Sequence, residues 1–449
     1  MTRRLATLAA VAALAAVAAL AALVSVPGCQ RSSTGPVQVT LQRFFGACDA
    51  EYGASTDVAA AEGECGIITT LINKFNADNP DIHVKVNVVS WPGYDQLSAE
   101  LAAGDPPDLV TMHESVISDY VQRHLIMPLD DLLRTEGIEP ASFTRAAREG
   151  VIRDGHLYAL PLDNWAPLWH LNLNLMRAAG LVHDGEPVLP HSSEELLQQA
   201  RQFKRATGKP YLIQSIVNDP AASARNLFTL LMQQNSDFFA DPRHIKLQTP
   251  EAHQVLQLFK QIRDEGLTTK DQDYTAATGA FLNGQGGVYI VGTWMIGTYD
   301  QASRQPGSPL AGGYSVVPFP QLYSARNVTY ADGHSWVVTT ATRSAQRSAA
   351  IGRLLRFLRD SDFEWSRTGH LPAYQDVIDS ARWRALPHRA EIAKLVDIAE
   401  SLPAGVQRQF TIQQIISEEM ESAITGQKPI DEALAGAEHR VNDLLFNLL

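Results

Sequence analysis

Three stretches of this chain set carboxylates and imidazoles beside aromatic rings, the residue types that can hold a polyhydroxylated small molecule. His113-Glu114 follows the short apolar run Leu109-Val110-Thr111-Met112. Asp163-Asn164-Trp165 and Asp332-Gly333-His334-Ser335-Trp336 combine polar and aromatic residues in the same way. A carboxylate accepts two hydroxyl hydrogen bonds, and an indole offers a flat apolar face to C–H bonds. Phe44-Phe45-Gly46 and Trp91-Pro92-Gly93 add rings at two further positions. Each has a plainer reading. Most tryptophans are core residues, and Trp169, alternating with His170, reads as one. His113-Glu114 equally fits a solvated strand end. Asp332–Ser335 equally fits a simple turn, although Gly333 would let backbone N–H groups approach a ligand.

Catalytic signatures are missing. His113-Glu114-Ser115-Val116-Ile117 lacks the second histidine of a zinc-protease helix, no Gly-x-Ser-x-Gly elbow occurs, and Gly284-Gln285-Gly286-Gly287 is not a dinucleotide fingerprint. A glycosidase pair is a distance in space, so a carbohydrate hydrolase stays as a rival class. A phosphate-bearing ligand would want Arg or Lys near the strand ends, which have few. Iron-binding sites favour neighbouring tyrosines, and no Tyr-Tyr pair occurs. A neutral mono- or oligosaccharide comes first and a polyamine or other organic cation second. No cofactor and no metal are expected.

The elements that must position these residues read as alternating strands and helices. Val37, Val39 and Leu41 alternate as a strand, and Ile67, Ile68, Leu71, Ile72 and Phe75 share a helical face. Ile82, Val84, Val86 and Val88 form a second strand, Leu97 and Leu101 mark a short helix, and 109–112 form a third strand. This order implies an α/β fold with a parallel, doubly wound sheet, whose ligands gather at the carboxyl ends of the strands. Helices are expected over 222–234 and 250–265, and strands over 287–291, 313–317 and 335–339. Arg343, Arg347, Arg353, Arg356 and Arg359 alternate with apolar residues and read as the wet face of an amphipathic helix.

The chain has 449 residues, 45% hydrophobic, and a net charge of −12. Length favours two to three lobes, and the acidic balance argues against a nucleic-acid partner. Arg3 and Arg4 precede an Ala/Leu/Val run ending at Val26-Pro27-Gly28-Cys29, which reads as a secretory signal with a bacterial lipobox and a lipidated Cys29. A permanent signal anchor is the alternative. Residues 30–36 form a polar tether. Removing Cys29 from the three cysteines leaves Cys48 and Cys65, an even pair in an exported protein. Two free thiols or half a metal site remain open. The loop between them carries Asp49, Glu51, Asp57, Glu62 and Glu64 without Lys or Arg. It reads as a soluble flap or as an acidic lip that attracts cations.

Several pieces, in order, resemble the family-1 extracellular solute-binding proteins of ABC importers, the maltose-binding-like group. They are Gly104-Asp105-Pro106-Pro107-Asp108-Leu109-Val110, Met127-Pro128-Leu129, Gly155 to Pro161, His170-Leu171-Asn172, Phe281-Leu282-Asn283-Gly284 with Gly292-Thr293-Trp294, and Gly369-His370-Leu371-Pro372. The resemblance implies a two-lobe fold with a ligand cleft. Residues 37–164 plus 319–366 would form one lobe, and 165–318 plus 367–449 the other. It implies a monomer that closes around its ligand, docks on the permease subunits of an ABC importer, and is held to the membrane on the periplasmic or extracellular face by its lipid. Trp294 falls where the family carries a stacking aromatic. The expected ligand contacts are therefore Phe45, Trp91, His113, Glu114, Asp163, Asn164, Trp165, Trp294, Gly333, His334 and Trp336.

Overall fold

Strand β1 (Val37–Arg43) opens the described part of the chain, which in this computed structural model is residues 35–448. The expected leader, Cys29 and most of the expected tether lie outside it. Helix α1 (Gly63–Asp78) leads to β2 (Ile82–Val88), and α2 (Tyr94–Ala103) leads to β3 (Leu109–His113). β1 pairs in parallel with both strands, from Val37 opposite Ile82 to Arg43 opposite Val88, and with Leu41 opposite Leu109. α1 buries Ile67, Ile68, Leu71, Ile72 and Phe75, the face set by the helical period. α2 stops at Gly104, whose φ of 76° favours a residue without a Cβ.

The remaining sheet strands are β4 (Leu160–Trp165), β5 (Pro167–Asn172), β6 (Leu212–Ile213), β7 (Val288–Gly292), β8 (Tyr314–Pro318), β9 (Asp332–Val338) and β10 (Leu371–Pro372). A six-stranded sheet runs β10-β4-β9-β3-β1-β2, and a four-stranded sheet runs β6-β7-β5-β8. β9 inserts antiparallel between β3 and β4, so the first sheet is mixed rather than wholly parallel. The chain passes from the first sheet to the second between Trp165 and Pro167, and returns between Pro318 and Asp332.

Two placements differ from the expected lobe boundaries. Phe319, Leu322, Val328 and Tyr330 are buried in the cluster that contains Leu227, Phe228 and Leu230 of the second lobe. Leu371-Pro372 joins the first sheet beside Asn164 and Asp163, and Trp383, Ile392 and Leu395 share a cluster with Val39, Leu41 and Leu160. Helices α5 (Gln409–Ile424) and α6 (Ile430–Phe446) then pack on the second core.

β9 also starts three residues before the expected strand. Asp332–Ser335 is already sheet, with an irregular register between His334 and Ser335, and is buried throughout. A second correction concerns the arginine run ahead of and along helix α4, whose range is Ala345–Asp360. Arg343 is not on a wet face: its side chain is 4% exposed and its Nε donates to Asp108 Oδ1 at 2.7 Å. Arg347 donates to Asp108 Oδ2, which also accepts from the Thr40 backbone N–H. Burial pushes the Asp108 carboxyl up, but these donors outweigh it and hold it below the usual range. Cys48 and Cys65 are paired, with Cα atoms 5.8 Å apart. Among the described residues no helix is long and apolar enough to cross a membrane.

A candidate ligand cavity between the two sheets

The carboxyl ends of β1 and β3 deliver Phe44, Phe45 and His113 to one wall of a cavity of about 530 Å³. The start of α1 adds Glu64, the turn before α2 adds Trp91, and β9 adds His334. Trp165 sits where the chain leaves the first sheet. From the second sheet come Tyr289, Gly292 and Trp294, with Tyr274 beside them. Ser215, Asn218 and Asp219 approach from the loop before helix α3 (Ala222–Gln233), and Arg225 and Asn226 from its first turns.

Hydrogen bonds fix how the polar groups face this space. The Tyr94 hydroxyl accepts from the His113 backbone N–H at 3.0 Å, so its own proton goes to His113 Nδ1 at 2.6 Å. His113 Nδ1 is thus an acceptor, and the proton of the neutral ring is on Nε2. Burial, reinforced by His334 and Arg225, holds this imidazole well below its ordinary pKa. His334 behaves in the opposite way. Burial lowers its pKa, but Asp163, with both oxygens 3.0 Å from Nδ1, outweighs burial and raises it. Asp163 is itself buried, yet His334, His370 and the Trp365 indole N–H at 2.7 Å pull it down to about 2. Glu64 is pushed up to about 7, chiefly by burial, and so takes either protonation state near neutral pH.

The rings interlock. Trp294 meets Trp165 edge to face at 5.5 Å and donates its indole N–H to the Tyr274 hydroxyl at 2.9 Å. The Arg225 guanidinium lies 4.3 Å over the Trp165 ring and donates Nε–H to Gln413 at 3.1 Å. His113 stacks on Phe44. Asp219 is held by the hydroxyl of Ser215 and the backbone N–H groups of Ala221 and Ala222.

Six of the expected contacts therefore line the cavity: Phe45, Trp91, His113, Trp165, Trp294 and His334. Five do not. Asp163 stands behind His334 with no exposure, and Asn164 points to the Thr144 hydroxyl. Glu114 is buried against Gly150 and Gly333. Gly333 serves packing, not ligand approach: a Cβ there would lie 2.6 Å from Asp163 O and from Glu114 Cδ. Trp336 is fully buried mid-strand, opposite Thr111 and Leu160. The last two are core because Asp332–Ser335 is strand, not turn. Glu64, Arg225, Tyr274 and Asp219 escaped the sequence reading. Glu64 adjoins Cys65 in the acidic loop, a signal that was visible. Arg225 comes from a helix start, where nothing in the local pattern distinguishes it.

Comparison with known proteins agrees with this architecture. Residues 70–391 match the family described as bacterial extracellular solute-binding protein. The sn-glycerol-3-phosphate-binding periplasmic protein UgpB of Escherichia coli O6:K15:H31 is 24% identical over 412 residues, covering 86% of this chain and 90% of UgpB. Among solved structures, maltose-bound MalE3 of T. maritima superposes with a TM-score of 0.76 at 18% identity, over 92% of this chain and all of that one. The GacH receptor of Streptomyces glaucescens gives 0.75 at 17% identity, over 91% and 98%. These likenesses establish the two-lobe maltose-binding-like fold. With its mixed first sheet, double crossing and interlobe cavity, and with a family match over most of its length, the chain belongs to the bacterial extracellular solute-binding proteins.

Proposed function

We propose that this protein captures a carbohydrate in the cavity and delivers it to an ABC importer. The observation that carries the reading is the composition of the wall: three indoles, two phenyl rings and two tyrosines interleaved with Glu64, Asp219, His113, Arg225 and Asn226. Indole and phenyl faces suit the C–H faces of a sugar, and the His113 Nε2–H and the Asp219 carboxylate suit its hydroxyl edges. Proteins of similar fold point the same way: MalE3 of T. maritima holds maltose, and a solute-binding protein of Thermotoga lettingae holds α-D-tagatose. The two lobes would close only around a ligand that touches both, because one that touched a single lobe would not shift the equilibrium. Lipidation at Cys29 and a monomeric state complete the proposal, with the carbohydrate hydrolase as the rival it replaces.

One observation favours a second reading, a phosphorylated polyol. UgpB is named for sn-glycerol-3-phosphate, and Arg225 supplies the cation that the strand ends lack. The test is a thermal-shift panel of maltose, tagatose, spermidine and sn-glycerol-3-phosphate. A true ligand at 100 times its Kd stabilises by about 2.7 kcal/mol. A shift with a sugar that survives Arg225→Gln supports the neutral reading. A shift only with the phosphate, lost in that variant, supports the second. Hydrolysis of a chromogenic glycoside would overturn both.

A further inference from the structure

Behind the His334 wall, the polar atoms of Asp163, His334, His370 and Glu64 gather close together. The Thr368 hydroxyl donates to Trp365 O at 2.7 Å, so its oxygen accepts from His370 Nδ1 at 2.7 Å. His370 Nδ1 therefore carries the proton, and Nε2 presents a bare lone pair. That atom is completely buried and has no hydrogen-bond partner. It faces Glu64 Oε1 at 3.5 Å and Asp163 Oδ2 at 3.8 Å. His334 Nδ1 is 3.0 Å from both Asp163 oxygens, and the ligand atoms of Asp163, His334 and His370 all lie within 4.8 Å of one another. A buried lone pair facing two carboxyl groups is costly unless something positive lies between them.

The structure assigns a Zn2+ site to Asp163, His334 and His370, with Glu64, 3.5 Å from His370 Nε2, at its edge. Zinc bonds to His nitrogen and carboxylate oxygen are about 2.0–2.2 Å long, which puts tetrahedral ligand atoms about 3.3–3.6 Å apart. The separations of Asp163 from His334 and from His370, 3.0 and 3.8 Å, bracket that spacing. Asp163 supplies a carboxylate oxygen and the two histidines supply imidazole nitrogens, a donor set that suits zinc. Binding displaces the His334 Nδ1 proton to solvent, leaving Nε2 protonated. Glu64 and His334 line the cavity, so an ion can enter from it. Asp163 and His334 come from β4 and β9, His370 from the segment before β10, and Glu64 from the start of α1 beside Cys65. Three protein ligands leave the fourth position on the side where Glu64 approaches. The inference does not rest on the carbohydrate reading.

The test is calorimetric titration of ZnCl2 into EDTA-stripped protein without any solute, followed by Co2+ absorption spectroscopy. One saturable equivalent per chain is expected, with the intense visible bands of tetrahedral Co2+. Glu64→Gln, which alters a partly exposed side chain, should weaken Zn2+ binding at least about tenfold, and His370→Gln should do the same. Absence of a saturable equivalent overturns the assignment. So does binding unchanged in Glu64→Gln, which would place the metal on exposed pairs such as His439 and Asp443.

Discussion

Gly292→Ala should move one tryptophan and little else. Gly292 has φ −78° and ψ 175°, ordinary extended backbone that alanine adopts without strain. A Cβ built there would instead fall inside the van der Waals envelope of Trp294 Cζ3, Cη2 and Cε3. Carbon atoms settle about 3.5–4.0 Å apart, so the indole must retreat by roughly 1–2 Å. That retreat disturbs its edge contact with Trp165 and its hydrogen bond to Tyr274. Losing the Trp294 to Tyr274 hydrogen bond costs about 0.5–1.5 kcal/mol of stability, visible as a small fall in apo Tm. If Trp294 stacks on the solute, misplacing it should cost on the order of 1–3 kcal/mol of binding, about 5- to 150-fold in Kd. Calorimetry with the ligand found in the thermal-shift panel, paired with apo denaturation, separates the two effects. A Gly292→Ala protein that binds as tightly as wild type would refute the role given to Trp294. A loss of apo stability above about 4 kcal/mol would instead make the ring a core residue.

Other outcomes follow from buried groups. Burial lowers the His170 pKa from 6.5 to about 3, with Nε2–H donating to Gly292 O and Nδ1 accepting from the Tyr314 hydroxyl. The unfolded chain therefore binds the extra proton first, and the native state loses stability as pH falls below about 6.5. The stability gap between wild type and His170→Gln should shrink by about 2 kcal/mol from pH 7.5 to 5, measured by urea denaturation; an unchanged gap would show that the imidazole titrates normally. Asp108→Ala strands the buried Arg343 guanidinium and should cost about 3–5 kcal/mol, read from the urea midpoint. Replacing Cys48 and Cys65 together by Ala opens a loop of about 18 residues and should cost about 3 kcal/mol. Dithiothreitol should lower the wild-type Tm and leave the double variant unmoved.

Much of the fold was legible because its elements obey simple periods. Strict alternation at Ile82–Val88 and the helical spacing of Ile67 to Phe75 each became the expected element. β9 was misjudged at its start because Asp332, Gly333 and Ser335 carry turn chemistry. In the sheet those residues are buried by contacts distant in sequence: Asp332 accepts from the Ser115 backbone N–H, and Gly333 makes room for Glu114. The same long-range closure hid half of the site. Strand-end position pointed to Phe45, His113 and Trp165, which line the cavity, whereas Arg225 and Tyr274 arrive from helices that only the second lobe's packing brings into range. Arg343 misled for a similar reason, since its partner Asp108 lies 235 residues away.

Trp91 gives the molecule a built-in optical gauge. It is the most exposed tryptophan among the described residues, at 41%, and its ring meets Phe410 of α5 edge-on at 5.2 Å. Trp165, Trp169, Trp336, Trp365 and Trp383 are sealed from water. Any swing of α5 away from the turn that carries Trp91 would uncover that indole, while Trp169, Trp336 and Trp383, which do not line the cavity, stay buried. A shift in emission wavelength, or quenching by iodide, would therefore report the angle between the halves without an attached dye.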